Sequence, residues 1–183
     1  MGTPVLLIID VINHFDFPGA ERLATFATDV SASIRRLRDR FDGAGAPVVY
    51  VNDNWAQWIG EFSDLVTACL QADGAPSTLA ATLAPGEQHY HVLKPKHSGF
   101  MDSALTVLLQ QLDADRLVIT GLATDSCVLA TALDAHMRDY PVWCPSDCSA
   151  AITMKRKSAA LAILRSTIAA RTVSTRHCAD LFP

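Results

Sequence analysis

The sequence contains no apolar run near the roughly 20 residues that a membrane-spanning helix needs. Its first apolar stretch stops at Asp10 without a signal-peptide cleavage pattern, so the expected location is the cytoplasm, with no membrane partner. A basic surplus is missing too: 15 Lys and Arg stand against 19 Asp and Glu, a formal net charge of -4. Proteins that hold phosphate backbones carry a cationic surplus or stripe, and the one basic run here is Lys155-Arg156-Lys157, which argues against nucleic acid as a partner. Neither G-x-G-x-x-G nor G-x-x-x-x-G-K-[ST] occurs, which argues against a nucleotide cradle. No internal repeat, low-complexity tract or linker divides the chain, so residues 1–183 read as a single domain.

Cysteine is present, but not in a disulfide pattern. The five cysteines, Cys69, Cys127, Cys144, Cys148 and Cys178, are odd in number and scattered, and reduced thiols are expected. Cys144 and Cys148 have no second Cys or His pair at zinc-finger spacing. His89 and His91 would share a face of a strand and His97 would follow in a loop, none with a carboxylate at ligand spacing. They read as polar surface positions, and no metal or cofactor is expected.

With 50% apolar and 19% charged residues, the rest describes an ordinary globular core. Short β-rich runs alternate with helical periodicity: strands over 4–9, 47–51, 90–93, 116–120, 141–144 and 171–174, and helices over 20–42, 126–138 and 153–170, with a further one capped by Asp102 and running to Leu112. Such alternation predicts a six-stranded parallel sheet in a three-layer α/β/α sandwich, Rossmann-like in its layering.

Open α/β sheets bind ligands beyond the carboxyl ends of their strands. Asp10, Asp53, Lys94 and the turn from Gly121 to Cys127 all fall at such ends. Taken singly, each has a dull reading: Asp10 caps a turn, Lys94 is a solvated terminus, and Cys127 is a small core hydrophobe. Together they are a base, a cation and a nucleophile on one rim. A thiol in the first turn of a helix faces unpaired N–H groups and the positive end of the macrodipole, which favour thiolate.

Three ordered motifs then resemble one family, the isochorismatase-like cysteine hydrolases, whose members include nicotinamidases, N-carbamoylsarcosine amidases and ureidoacrylate amidohydrolases. They are Leu6-Leu-Ile-Ile-Asp10 followed by Asn13 and Phe15, Val92-Leu-Lys-Pro-Lys-His-Ser-Gly-Phe100, and Thr120-Gly-Leu-Ala-Thr-Asp-Ser-Cys-Val128 running into Thr131-Ala-Leu-Asp-Ala135. The resemblance implies that Asp10, Lys94 and Cys127 are the catalytic residues and that the Leu122–Ala123 bond is cis. It also implies an oxyanion hole formed by the Ala123 and Cys127 N–H groups. The implied reaction is hydrolysis of a carbon–nitrogen bond through a thioester, on a small-molecule substrate, in a homo-oligomer.

Departures from the family narrow the substrate. Where nicotinamidases of this family carry an Asp-x-His metal motif, this chain has Asp53-Asn54-Trp55, so a metal-dependent nicotinamidase is disfavoured. Isochorismatases, which cleave a vinyl ether, resemble the family without its nucleophilic cysteine, and the presence of Cys127 points to amide, ureido or carbamoyl substrates. Asn13, Phe15, Asn54, Trp55, Trp58 and His97 are candidates for the pocket, the aromatics equally for packing or a subunit interface. An isochorismatase-type hydrolase and a non-catalytic small-molecule-binding or structural oligomer of the same fold remain the alternatives.

Overall fold

Successive side chains of a strand point to opposite faces, and the strand Thr3–Ile9 (β1) is apolar on both. Leu6 and Ile8 enter one hydrophobic cluster, and Val5, Leu7 and Ile9 enter another. A strand of this kind has to lie inside a sheet covered on both sides. The computed structural model, which describes residues 2–54 and 59–183, places it at the centre.

Around it run Val48–Asp53 (β2), Tyr90–Lys94 (β3), Ala114–Leu122 (β4), Val142–Trp143 (β5) and Ser149–Ala150 (β6). The order is β3-β2-β1-β4-β5, with β6 also on β4, and every pairing is parallel. The helices Ala20–Gly43 (α1), Phe62–Gln71 (α2) and Ala75–Leu83 (α3) pack into the cluster of Leu6 and Ile8. Leu105–Gln111 (α4), Leu129–His136 (α5) and Met154–Ile168 (α6) pack into that of Val5, Leu7 and Ile9. The expected three-layer sandwich of six parallel strands is therefore present. Among the described residues no helix is long and apolar enough to cross a membrane.

Several local expectations are corrected. The sixth strand is Ser149–Ala150, not 171–174: Arg171 makes a single bridge to Trp143. Beyond that bridge the Ser146 N–H meets the Thr172 carbonyl at 3.3 Å, out of ladder register, and Asp147 takes the Thr175 N–H and hydroxyl, turning the chain into a short 3-10 helix. β5 and β6 thus lie one after the other along the same edge of β4, beside Leu117 and Val118 and then beside Gly121 and Leu122. Asp102 does not cap α4. It has a φ of 46°, and Ser103 Oγ instead accepts the Leu105 N–H at 3.2 Å. Residues 124–128 form a π-helical turn ahead of α5, so Cys127 does not sit in the first turn of an α-helix. The α2–α3 pair had no counterpart in the sequence reading, although Glu61 and Asp64 form a reciprocal capping box at its start.

The chain passes from β1 outward to β2 and β3, then returns to place β4 on the other side of β1. Strand order reverses between β1 and β4, and their carboxyl ends leave the crevice in which such sheets bind ligands. Gly121 makes the close approach possible: its φ is +109°, and a Cβ there would lie 2.0 Å from the Ile9 carbonyl oxygen. We expect Gly121→Ala to lower stability by more than the about 1–3 kcal/mol of an unfavourable backbone conformation, because the obstacle is main chain. A denaturant midpoint unchanged from wild type would contradict this.

Candidate active site

β1 ends at Ile9, and the next residue leaves the strand in the left-handed region, with Asp10 at a φ of 50°. Its N–H donates to the Val51 carbonyl at 3.0 Å, and its Oδ1 accepts the Asp53 N–H at 2.7 Å, so the carboxylate is clamped across the end of β2. Lys94 ends β3, two strands from β1, a lateral gap of about 10 Å at the usual strand spacing. The four-carbon lysine stem covers much of it. Nζ lies 2.9 Å from Asp10 Oδ2 and 3.6 Å from Cys127 Sγ, with Lys94 only 1% exposed.

Cys127 reaches the same point from the far side of β1. It follows the end of β4 and a cis Leu122–Ala123 bond, on the π-helical turn. Thr131 donates its hydroxyl to the Cys127 carbonyl at 2.7 Å and accepts the Gly99 N–H at 2.9 Å. Ser98 hydrogen-bonds Asp134 on α5, and Arg138 holds Asp134 at 3.0 Å. The loop after Lys94 is thereby joined to the helix after Cys127, which fixes the two side chains relative to each other.

Electrostatics differ from what a thiol at a helix start suggests. Burial pushes the Cys127 thiol up to about 12, and the Asp10 charge adds to the rise while Lys94 opposes it. Burial also raises the Asp10 carboxyl above its ordinary range against the pull of Lys94. Desolvation works against the Lys94 ammonium, but the negative groups around it, Asp10 first, hold its pKa above the usual value. The resting site is a buried ion pair beside a protonated thiol, with the carboxylate a stronger base than a solvated one. Asp10 and Cys127 both meet the Lys94 ammonium, and the charge of Asp10 acts on the thiol, so carboxylate and thiol are near neighbours.

The three residues line one cavity of about 490 Å³. Of the residues expected to shape it, Asn13 and His97 do. Phe15 does not: its N–H bonds Asn13 Oδ1 at 2.7 Å, its φ is 56°, and its ring packs on the core, which leaves Phe17 on the cavity wall. Nor does Asn54, whose N–H donates to the Lys94 carbonyl at 3.1 Å and to Asp53 Oδ1 at 2.9 Å. Trp55 and Trp58 lie outside the described residues. The sequence reading missed Phe17, Leu23, Lys96, Ile152 and Arg156, which also line the cavity, and Ala123 and Ser126 complete its wall near the thiol. Among the described residues no group of three or more His, Cys, Asp or Glu side chains could hold a metal ion.

The isochorismatase domain matches this chain over residues 4–176. YaaI of Bacillus subtilis, an isochorismatase family protein, is 33% identical over 163 residues, 89% of each chain. The ureidoacrylate amidohydrolase RutB of Caulobacter vibrioides is 27% identical across 75% of this chain and 72% of its own length. Some relatives are longer, and the chain spans 51% of the isochorismatase of Bacillus subtilis. Among solved structures, the N-carbamoylsarcosine amidase of Thermoplasma acidophilum superposes with a TM-score of 0.70 at 25% identity, over 97% of this chain and 99% of that one. With a domain match over nearly its whole length and a relative sharing a third of its residues, the chain belongs to the isochorismatase family of hydrolases.

Proposed function

We propose that the chain is a metal-independent cysteine amidohydrolase that cleaves an amide, ureido or carbamoyl C–N bond of a small molecule through a thioester. The observation that carries this reading is the meeting of Asp10 and Cys127 at the Lys94 ammonium in one cavity. The amidohydrolase names of RutB and N-carbamoylsarcosine amidase agree with it.

The reaction follows from the proton's position. Substrate enters, Asp10 takes the thiol proton, and Sγ bonds to the carbonyl carbon as the C=O π electrons move to oxygen. The Ala123 and Cys127 N–H groups receive that oxyanion. Asp10 then gives its proton to the nitrogen, the C–N bond breaks and the amine leaves. Water loses a proton to Asp10 and attacks the thioester, the C–S bond breaks, and the proton returns to sulfur. Lys94 stays protonated throughout, anchoring Asp10 and favouring the thiolate when it forms. Every step uses side chains or main chain of this protein. All five thiols are unpaired, and the reading places the enzyme in a reducing compartment, the cytoplasm.

Ammonia release from a panel of small amides, ureides and carbamoyl compounds tests the roles. Cys127→Ala is expected to abolish turnover, and Asp10→Asn to lower it roughly 10²–10⁴-fold, the usual worth of a general acid–base group. Wild-type turnover by Cys127→Ala would overturn the nucleophile and favour an isochorismatase-type reaction, which needs only a carboxylic acid.

The pH dependence of Cys127 alkylation by iodoacetamide tests the proton path. While Asp10 and Cys127 share one proton, the fraction carrying it on Asp10 does not vary with pH, so labelling is flat through neutrality. Below the Asp10 titration the pair holds two protons and labelling falls. Because that carboxyl is raised, the fall begins above its ordinary value of 3.8. In Asp10→Asn the acceptor is gone and labelling rises only toward alkaline pH. A wild-type rate that climbs steadily between about pH 7 and 10, as for a free thiol, would contradict the mechanism.

The reading includes assembly with like chains. Ile59, Val107, Met137 and Met154 are large apolar side chains left exposed, and a symmetric contact would cover part of that surface. Light scattering is expected to give a multiple of 19.7 kDa, and a monomer mass at micromolar concentration would count against it.

A further inference from the structure

An open sheet has a free strand edge at each end, and this chain treats its two ends differently. At one end, residues 171–173 cover β5. Arg171 donates its N–H to the Val142 carbonyl at 3.0 Å and accepts the Cys144 N–H at 2.8 Å, and Trp143 Nε1 donates to the Val173 carbonyl at 2.8 Å. Phe182 then meets the Trp143 ring edge-on, with the Arg116 and Arg171 guanidiniums over its own face. β6, on the same side of β4, is buried. That end is closed by the chain itself.

At the other end β3 is open. Asn54 donates its N–H to the Lys94 carbonyl, so Lys94, and with it Val92 and Tyr90, turns its main-chain groups toward β2. By the alternation of a strand, His91 and Leu93 turn theirs outward, where no main-chain partner among the described residues meets them. The free stretch is bounded on both sides: the His89 N–H is taken by the Gly86 carbonyl at 3.0 Å, and Pro95 has no N–H. Beside this edge runs a groove of about 380 Å³ between β3 and α4, with Tyr90, Val92, Ala104, Val107 and Leu108 on its lining. Tyr90 and Val107 are exposed, and no Lys, Arg, Asp or Glu of the described residues lines the groove.

A bare strand edge is complementary to another strand edge. Because β5 is covered, the edge that a second copy can offer is β3 again. Pairing β3 with itself is antiparallel about a two-fold axis and closes as a pair, whereas pairing with β5 would have run on into fibres. With His91 and Leu93 as the free residues, the axis falls at Val92. His91 of each copy then faces Leu93 of the other, and each such couple exchanges N–H and C=O groups. The same axis lays one α4 beside the other, so Val107 and the groove meet their own counterparts with no like charges to repel.

We propose that two copies of this chain join through β3 into one continuous sheet, with α4 packed across the axis. This rests on the reading that the chain assembles with like chains, and it names the surface that does so.

Val107→Glu places a charge at an exposed helix position, which costs a single copy little, and sets two like charges face to face across the axis. His91→Pro deletes an outward N–H and no bond to β2. Light scattering at micromolar concentration should give wild type an even multiple of 19.7 kDa and each variant half the wild-type mass. Hydrogen exchange reads the strand pairing itself: the His91 and Leu93 amides should be protected in wild type and exchange at least about tenfold faster in Val107→Glu.

A wild-type mass kept by both variants overturns the β3 pairing and leaves assembly to another surface, such as that of Met137 and Met154. Free exchange of the His91 and Leu93 amides in an oligomeric wild type also overturns it, even where Val107→Glu separates the copies, because the helices then touch without the strands. A monomeric wild type overturns the assembly reading and the pairing together, and leaves Cys127 alkylation to judge the chemistry by itself.

Discussion

The contact between Asp10 and Lys94 holds the site together, because it joins β1 to β3 over the end of β2 with two charges taken almost wholly out of water. A buried ion pair gives little net stability against apolar residues of the same size, but it tolerates no half-measures: either partner left alone is a buried charge with nothing to offset it. The pair therefore persists only if the surroundings fix both ends. Asp10 is fixed by the Val51 carbonyl and the Asp53 N–H, and Lys94 by its place as the last residue of a paired strand. The same clamp leaves Nζ within reach of the thiol.

Desolvation sets the direction of the chemistry. A cysteine with an exposed cation beside it would rest as thiolate, ready to react with any electrophile. Here the low-dielectric floor and the neighbouring carboxylate keep Cys127 protonated, and burial makes Asp10 a better proton acceptor. Thiol and carboxylate are thus poised around one shared proton, which suits a group that must act first as base and then as acid. The Thr131 hydroxyl, bonded to both the Cys127 carbonyl and the Gly99 N–H, keeps the two halves of the site from drifting apart.

The order of the sheet explains why these parts meet. Reversal between β1 and β4 opens a crevice at their carboxyl ends, and the glycine at position 121 lets β4 run against Ile9 with no side chain between them. Helices on the two faces then supply different walls: Leu23 comes from α1, while Arg156 comes from α6 on the opposite layer. The catalytic floor is built by strand ends, and the rim that meets the substrate by loops and a helix start.

By itself the sequence determined what depends on neighbours along the chain. The run ending at Asp10, the strand ending at Lys94 and the glycine turn before Cys127 mark the layers, the strand ends and the residues that meet there, because burial on two faces demands unbroken apolar runs and polar residues fall where these stop. Tertiary structure alone decided what depends on contacts across the fold. The Cys127 thiol is raised rather than lowered because its surroundings come from β1, β3 and the π-helical turn together. The sixth strand is Ser149–Ala150 on the edge of β4, too short and too small to form an apolar run, while the expected strand at 171–174 ends after one bridge, where Asp147 holds Thr175. Phe17 faces the cavity in place of Phe15 because a left-handed turn rotates one ring inward, and Arg156 joins the site because Asp125, 31 residues away in sequence, holds it there. Periodicity encodes which residues are buried, whereas the pairing of side chains distant in the chain is fixed only when the layers close.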